Sequence, residues 1–265
     1  MRRIGLLFAR LAFLGLSGLT ASAAGAQTPA ENNPAPSRAF LPRVGVLFSW
    51  ARMITSDPRF QWDARARIDF DVAEINQWTM RFSIDYDAVL GHERRPFDLN
   101  QGFYVLEGTI GHKISSTDVA LLTRHVSRHL VDRENAPSIS WNLVGIRLSR
   151  DLAAAGMRFD GDFELGHAMQ QAFVDYTWMT KARIRATRPL NSTLALVGSG
   201  LGEINFVDRL VRDRRVCGGR IEGGLRVNGR AANFDVIIGY ERRIDGYPIE
   251  RSRVRAFTVG FRFVN

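Results

Sequence analysis

Two histidines and a serine alternate within one short segment of the chain, as His125, Ser127 and His129. Alternate side chains of a β-strand point to the same side, so a strand here would place all three on one face. A serine hydroxyl beside an imidazole combines a nucleophile with a general base, which is the chemistry of acyl transfer. The segment is therefore a candidate catalytic site. Its alternative is a set of polar side chains that line the interior of a barrel.

A serine and histidine pair of this kind needs a third group that orients the imidazole. A hairpin that pairs Leu130 with Ile139 would connect the segment to the next strand. In that register Ser127 faces Asn142, which makes Asn142 the best candidate for the orienting residue. Glu134, in the predicted loop, is the second choice.

Metal chemistry has less support from the same segment. His125, His129 and Asp132 have a spacing that could bring them together, but no further ligand is obvious. We therefore predict no metal site and no cofactor.

The sequence around the segment alternates apolar and polar residues with period two. Between residues 64 and 72, for example, alanine, isoleucine, phenylalanine and valine alternate with arginine and aspartate. This pattern predicts strands with one apolar and one charged face. Twelve such runs occur, at 41–52, 64–72, 78–86, 102–113, 118–130, 139–150, 156–167, 172–186, 192–202, 215–227, 231–243 and 252–264. Most of them reach the roughly 9 to 11 residues with which a tilted strand crosses a bilayer.

The connections between these runs alternate between tight turns and longer polar loops. Asn228-Gly229 is a clear turn, because both residues tolerate the positive φ angles of a two-residue hairpin. Turns at one end and loops at the other are typical of an even-stranded outer-membrane barrel with periplasmic turns. We therefore predict an all-β fold, a closed antiparallel transmembrane β-barrel of about 12 strands. The competing prediction is a soluble barrel of the lipocalin type, whose apolar face fills the core.

The amino-terminal residues predict export. Basic residues precede an apolar run and a small-residue segment that ends at Ala26, so residues 1–26 read as a secretory signal peptide. Residues 27–40 are rich in proline and asparagine and predict a flexible lead-in. The barrel then spans 41–265. Cys217 is the one cysteine, which excludes an intramolecular disulfide.

The charges of the chain bear on its partners. The formal net charge is +9, but export and the interleaving of acidic residues with arginine along the strands exclude nucleic acid. Loop arginines could instead bind phosphates of outer-membrane lipids or lipopolysaccharide; they are Arg59, Arg94, Arg95, Arg133, Arg209, Arg212, Arg214 and Arg242. Charges expected to line the lumen include Arg65, Arg67, Asp69, Asp71, Arg158, Asp160, Glu164, Arg220 and Glu222. Mixed signs at this density predict a cross-braced interior with at most a narrow pore.

The pair of His125 and Ser127 resembles the His-x-Ser pairs of two outer-membrane lipid hydrolases, phospholipase A and lipid A deacylase. The longer His-x-Ser-x-His-Leu stretch also resembles uncharacterised outer-membrane barrels. The resemblance to the hydrolases implies a Ser127 nucleophile and a His125 base on the lipid-facing surface. This chain departs from them in two places: Ile139 stands where those families place the orienting residue, and Arg128-His129 stands where the phospholipase has Asn-Gly.

The segment 252–264 resembles the carboxy-terminal signal that the barrel-assembly machinery reads in Gram-negative outer-membrane proteins, with Asn265 in place of the usual terminal aromatic residue. This resemblance implies an outer-membrane location. The functional prediction is a structural or narrow-pore barrel of the outer membrane. The alternative is a serine-type lipid hydrolase that uses His125 and Ser127.

Overall fold

The structure is a computed structural model, and it describes residues 38–93, 95–131, 136–207 and 217–265. Its strands are β1 Arg38–Ile54, β2 Trp62–Ile75, β3 Trp78–Gly91, β4 Asp98–Ile114, β5 Thr117–Leu130, β6 Ile139–Ala154, β7 Met157–Ala172, β8 Tyr176–Pro189, β9 Leu194–Val207, β10 Cys217–Val227, β11 Asn233–Tyr247 and β12 Ser252–Val264. None of the described residues belongs to a helix long and apolar enough to cross a membrane.

The strands form one closed antiparallel barrel. Each strand pairs with its neighbours in sequence, and β12 pairs with β1 to complete the circle. The predicted fold class is therefore confirmed. Three strand starts differ from the predicted ones by three residues or more: β1 begins at Arg38 rather than at 41, β4 at Asp98 rather than at 102, and β8 at Tyr176 rather than at 172. The first difference arises because Arg38 already pairs with Ile75 of β2.

The two ends of the barrel differ in their connections. At one, here called the turn end, tight turns join β2 to β3, β4 to β5 and β6 to β7. Ala155 and Gly156 form the last of these with φ angles of 51° and 72°, the left-handed conformation that matches the twist of the flanking strands. The opposite end, here called the loop end, carries the connections from β1 to β2, β3 to β4, β5 to β6 and β11 to β12.

The barrel has an apolar outer surface and a polar inner surface. Outward-facing side chains such as Leu121, Ile184 and Ile238 are 66%, 55% and 64% exposed. Buried residues of the inner face include Asp63, Glu107 and many other charged or polar residues. This is the inverse of a soluble barrel, so the lipocalin-type alternative is wrong.

A cluster of buried apolar side chains lies in the interior at the loop end. They come from β1, β3, β5, β6, β11 and β12 and from the loop between β1 and β2, and they are Met53, Phe60, Val89, Leu130, Ile139, Tyr247, Val254 and Ala256. Phe60 and Val89 have no exposed surface. This group, called the apolar plug below, occupies part of the lumen at the loop end.

Candidate functional site

Strand β5 carries different chemistry on its two faces. Leu122, Val126 and Arg128 are buried inside the barrel, with 2%, 6% and 5% exposure. Because side chains alternate along a strand, His125, Ser127 and His129 point outward, on the same side as the exposed Leu121. The candidate catalytic segment therefore lies on the lipid-facing surface.

Asn142 of β6 orients the ring of His125. The Nδ1 of His125 lies 2.7 Å from the Oδ1 of Asn142, and the two residues are directly opposite in the β5 to β6 register. An amide oxygen can only accept a hydrogen bond, so the Nδ1 of His125 is the donor. A neutral imidazole with its proton on Nδ1 keeps a lone pair on Nε2, which makes Nε2 the basic atom.

The register that places Asn142 there differs from the predicted one. Arg128, rather than Leu130, pairs with Ile139, so Asn142 faces His125 and Ser127 faces Ser140. Leu130 extends past the last pair of β5 and β6 and packs into the apolar plug. The predicted pairing was therefore wrong. In the observed pairing the amide of Asn142 lies opposite His125 instead of Ser127.

The hydroxyl of Ser127 contacts the other histidine. Ser127 Oγ lies 3.0 Å from the Nε2 of His129, and the edge of the His129 ring faces Tyr104 with a centroid distance of 5.4 Å. Of the three predicted catalytic residues, His125 thus pairs with Asn142, whereas Ser127 pairs with His129 rather than with His125. His125 and His129 flank Ser127 on the same face of β5.

Gln170 of β7 is a member of the site that the sequence analysis missed. Asn142 Nδ2 donates to Gln170 Oε1 at 2.8 Å, which fixes the amide so that its oxygen points at His125. The register shifts next to this pair, because Asn142 pairs with Gln170 while Leu143 pairs with Ala168. Met169 is therefore an inserted residue, a β-bulge that turns Gln170 outward. Strict alternation would have placed Gln170 in the lumen.

Aromatic side chains mark the height of the site along the barrel. Tyr86, Tyr104, Ser127 and Ser140 form one row across four neighbouring strands. Nearby, on the outer surface, the rings of His167 and Trp178 meet at a centroid distance of 4.8 Å. Tyrosine and tryptophan on the outside of a membrane barrel lie at the level of the lipid headgroups. Ser127 is thus at the membrane interface.

The predicted lumen charges all occupy inward-facing positions of their strands; they are Arg65, Arg67, Asp69, Asp71, Arg158, Asp160, Glu164, Arg220 and Glu222. Most are joined in ion pairs that cross between strands. Arg124 on the inner face of β5 donates to Glu107 and, at 2.6 Å, to Glu164. Arg147 Nη2 lies 2.7 Å from both of those carboxylates. The result is a neutralised interior, with strands on opposite sides of the site tied together.

Arg128 ties the candidate segment to the opposite wall of the barrel. Its Nη1 donates to the backbone oxygen of Asp245 at 2.7 Å, and its Nε donates to Gln101 Oε1 at 3.0 Å. Its guanidinium lies over the ring of Phe103 at 4.4 Å from the centroid. Because Arg128 stands between Ser127 and His129, these contacts hold the backbone of the candidate segment from the inside.

Two predicted residues, Glu134 and Asp132, lie outside the described residues. Within the part of the chain that the structure describes, no group of three or more His, Cys, Asp or Glu side chains is arranged to hold a metal ion. The loop arginines Arg94, Arg133, Arg209, Arg212 and Arg214 are likewise outside the described residues.

Arg59, in the loop between β1 and β2, forms a clasp over the loop end. It binds Asp57 and Glu250, both at 2.7 Å, and its guanidinium lies over the Tyr247 ring at 4.2 Å. Burial alone would raise the pKa of Asp57, but the hydrogen bonds and charge of Arg59 outweigh it and lower that pKa below its ordinary value. The hydrogen bonds that Arg59 donates to both carboxylates raise the pKa of Arg59. Arg95 pairs with Asp98 at 3.3 Å.

Solved outer-membrane barrels share this architecture. The chain is similar to outer membrane phospholipase A from Escherichia coli, with a TM-score of 0.51 and 11% identity over 85% of this chain and 98% of that one. It is also similar to the Salmonella typhi outer membrane phospholipase dimer with bound calcium, with a TM-score of 0.50 and 11% identity over 88% and 93%. LpxR from Salmonella typhimurium gives a TM-score of 0.47 and 8% identity over 83% and 99%.

The protein is an outer-membrane β-barrel. A closed barrel with an apolar outer surface satisfies its backbone internally and exposes to lipid only side chains that lipid accepts, which fits this location. No protein-family model and no curated protein matches the chain. At 11% identity the likeness to the phospholipases concerns the fold, so the activity of this barrel has to be argued from its own residues.

Proposed function

We propose that this barrel is a lipid ester hydrolase of the outer membrane, with Ser127 as its nucleophile. The observation that carries the proposal is the outward-facing hydrogen bond of 2.7 Å between His125 and Asn142, beside Ser127. It supplies an imidazole of defined tautomer, oriented by a neutral amide, on the same strand face as a hydroxyl. These are the three roles of a hydrolytic triad, which is recognised by geometry rather than by sequence order.

In the proposed reaction, Ser127 Oγ attacks the carbonyl carbon of an ester while its proton passes to the Nε2 of His125. The bond from that carbon to the alcohol oxygen then breaks, and the imidazolium returns its proton to the departing alcohol. Water, deprotonated by the same imidazole, next hydrolyses the acyl-serine and releases a fatty acid. Asn142 accepts the Nδ1 hydrogen bond throughout, which stabilises the imidazolium in its orientation.

Catalysis by His125 requires a rotation of the serine side chain. The Ser127 hydroxyl is bound to His129 in the resting arrangement, and His125 lies on the other side of it along the same face. Staggered positions of χ1 direct the hydroxyl of a serine to either side. His129 is therefore assigned the role of holding the hydroxyl between turnovers, and His125 that of the base.

The surface around Ser127 supports a lipid as the substrate. The site faces outward at the level of the aromatic residues, and the ester bonds of membrane lipids lie at the same interface. Exposed apolar residues such as Leu106 and Val144 lie beside the site, at 42% and 50% exposure. A lipid could present its carbonyl to Ser127 without leaving the bilayer. Likeness in fold to the phospholipases agrees with this class of substrate.

A barrel without catalytic activity is the second candidate function. The specific observation in its favour is the density of ion pairs in the lumen, which stabilises the barrel independently of any site. The apolar plug and these ion pairs argue against a wide channel. Under either function we expect outer-membrane lipids, including lipopolysaccharide, and the barrel-assembly machinery as partners.

The decisive test measures fatty-acid release from phospholipid and from lipid A by the purified protein in detergent, with calcium and with a chelator. We expect turnover by the wild type and its loss, by about a thousandfold or more, in Ser127→Ala. Ser140→Ala is the matched control, because Ser140 faces Ser127 from the next strand and shares its surface. Both variants should keep the heat-dependent gel migration of a closed barrel. Turnover that survives in Ser127→Ala would refute Ser127 as the nucleophile, and its absence from the wild type would refute the hydrolase and favour the inactive barrel.

A further inference from the structure

Two arginines stand directly opposite each other on the outer surface near the loop end. Arg242 of β11 pairs with Arg255 of β12. Both occupy outward positions, since the neighbouring Glu241 and Val254 are buried at 4% exposure. Directly opposite residues of an antiparallel pair have Cβ atoms about 4.5 to 5.5 Å apart, and like charges in such a pair destabilise it. An anion between the two guanidiniums would remove that cost.

Neither guanidinium has a carboxylate partner within the described part of the chain. Arg242 Nη2 lies 3.1 Å from Cys217 Sγ, a weak acceptor that does not neutralise its charge. The Nε of Arg242 is buried without a hydrogen-bond partner. Arg243, the next residue, faces inward and binds Asp63 at 2.6 Å and Glu241 at 2.8 Å. The inward Arg243 is thus neutralised by two carboxylates, whereas its outward neighbours Arg242 and Arg255 are not.

An apolar column of the outer surface begins next to the two arginines. Tyr240 and Phe257, the adjacent outward pair toward the turn end, have ring centroids 5.2 Å apart, and Phe257 is 62% exposed. The following pair, Ile238 and Val259, is 64% and 48% exposed. A molecule with an anionic head at the arginines would lay an acyl chain along this column.

We propose that Arg242 and Arg255 form a binding site for the phosphomonoester headgroup of a membrane lipid. A phosphomonoester carries a charge of about −1.5 to −2 at neutral pH, which balances two guanidiniums. Each guanidinium offers a fork of N–H donors that matches phosphate oxygens. A zwitterionic headgroup lacks the required net charge, and free inorganic phosphate lacks the chain that the apolar column accommodates. This site does not depend on Ser127 or on hydrolysis.

The test is a titration by native mass spectrometry of the purified full-length protein in nonionic detergent. The probes are phosphatidic acid, phosphatidylcholine and inorganic phosphate. We expect one retained phosphatidic acid per barrel and a Kd at least tenfold weaker in Arg242→Gln/Arg255→Gln. The control Arg150→Gln/Arg188→Gln removes two outward-facing arginines near the turn end, and it should bind as the wild type does.

Several outcomes would overturn the site. Equal losses in the two double variants would mean that net charge alone attracts the lipid. Equal retention of phosphatidylcholine would mean that the acyl chain alone is recognised, and inorganic phosphate that binds as tightly as phosphatidic acid would mean a simple anion site. Because Arg255 is exposed, the single variant Arg255→Gln leaves the fold intact and should also bind more weakly than the wild type; wild-type affinity in that variant would likewise contradict the pairing of the two side chains.

Discussion

The two faces of β5 carry polar side chains in opposite surroundings, the lumen on one side and the lipid on the other. On the inner face, Arg124 and Arg128 are bound by carboxylates, an amide and a backbone oxygen from the neighbouring β4 and from β7 and β11 farther round the barrel. On the outer face, His125 and Ser127 make only short-range contacts with their neighbours on β5 and β6. The inner contacts neutralise Arg124 and satisfy the hydrogen-bond donors of Arg128, and they rigidify the barrel. The polar groups of the outer face have hydrogen-bond partners but are not held in ion pairs. This leaves them available for the chemistry proposed for the site.

If the outer face is catalytic, replacing the proposed base, His125, should have the largest effect on kcat. We expect His125→Ala to lower kcat for lipid hydrolysis by about a thousandfold or more, because a serine and its base act as a unit. His129→Ala should lower it by about tenfold or less, since it removes only a hydrogen bond to the hydroxyl. Steady-state kinetics on both variants checks this order. The reverse order would make His129 the base and break the assignment of His125.

On the inner face, the effect should appear in stability rather than in catalysis. Arg124→Leu leaves Glu107 and Glu164 short of a counter-charge inside the barrel, and removing one partner of a buried ion pair costs about 3 to 5 kcal/mol. Urea-induced unfolding in lipid vesicles should show this loss. Arg185→Leu is the control, because its pair with Asp160 is 49% and 43% exposed and such pairs contribute about 0 to 1 kcal/mol. Similar losses of unfolding free energy in the two variants would contradict a stabilising role for the buried ion pairs of the lumen.

A smaller effect should follow from Gln170, which acts through Asn142. Gln170→Leu removes the acceptor that fixes the amide, and a hydrogen bond of about 0.5 to 1.5 kcal/mol corresponds to at most about a tenfold fall in kcat. Gln171→Leu changes the adjacent residue, whose backbone pairs with Trp141, and should leave kcat unchanged. Asn142→Ala should cost more than Gln170→Leu. A larger loss in Gln171→Leu than in Gln170→Leu would show that the position matters only for folding.

The smallest expected effect is on the stability in acid of the clasp that Arg59 forms at the loop end. The folded-state pKa of Asp57 lies below its ordinary value of 3.8. Its ion pair with Arg59 therefore stabilises the fold above about pH 3.8 and is lost as the pH falls through the lower, folded-state pKa. Protease resistance of this loop should be constant from neutral pH to about 5 and fall in stronger acid. Asp57→Asn should lack that transition, at a cost of no more than about 1 kcal/mol at neutral pH; an identical acid profile in the variant would exclude Asp57 as the titrating group.

Period-two alternation was enough to predict the twelve strands, because charged and apolar residues segregate to opposite faces along most of the chain. It did not predict which face of β5 is outward, since Arg124 and the histidines both look polar in sequence. The β5 to β6 register could not be predicted from the sequence, because it depends on the packing of Leu130 in the apolar plug. Gln170 was missed because a bulge at Met169 breaks the alternation, and no residue type signals that break.

The bulge at Met169 has an evolutionary consequence. Because the bulge takes up one extra residue, Gln170 stays opposite Asn142 on the outer face, although counting along β7 would place it in the lumen. A barrel ancestor could therefore gain or lose a codon at this point of β7 without separating Asn142 from its hydrogen-bond acceptor. Deleting Met169 should remove the bulge and leave Gln170 directly after Ala168, still opposite Asn142.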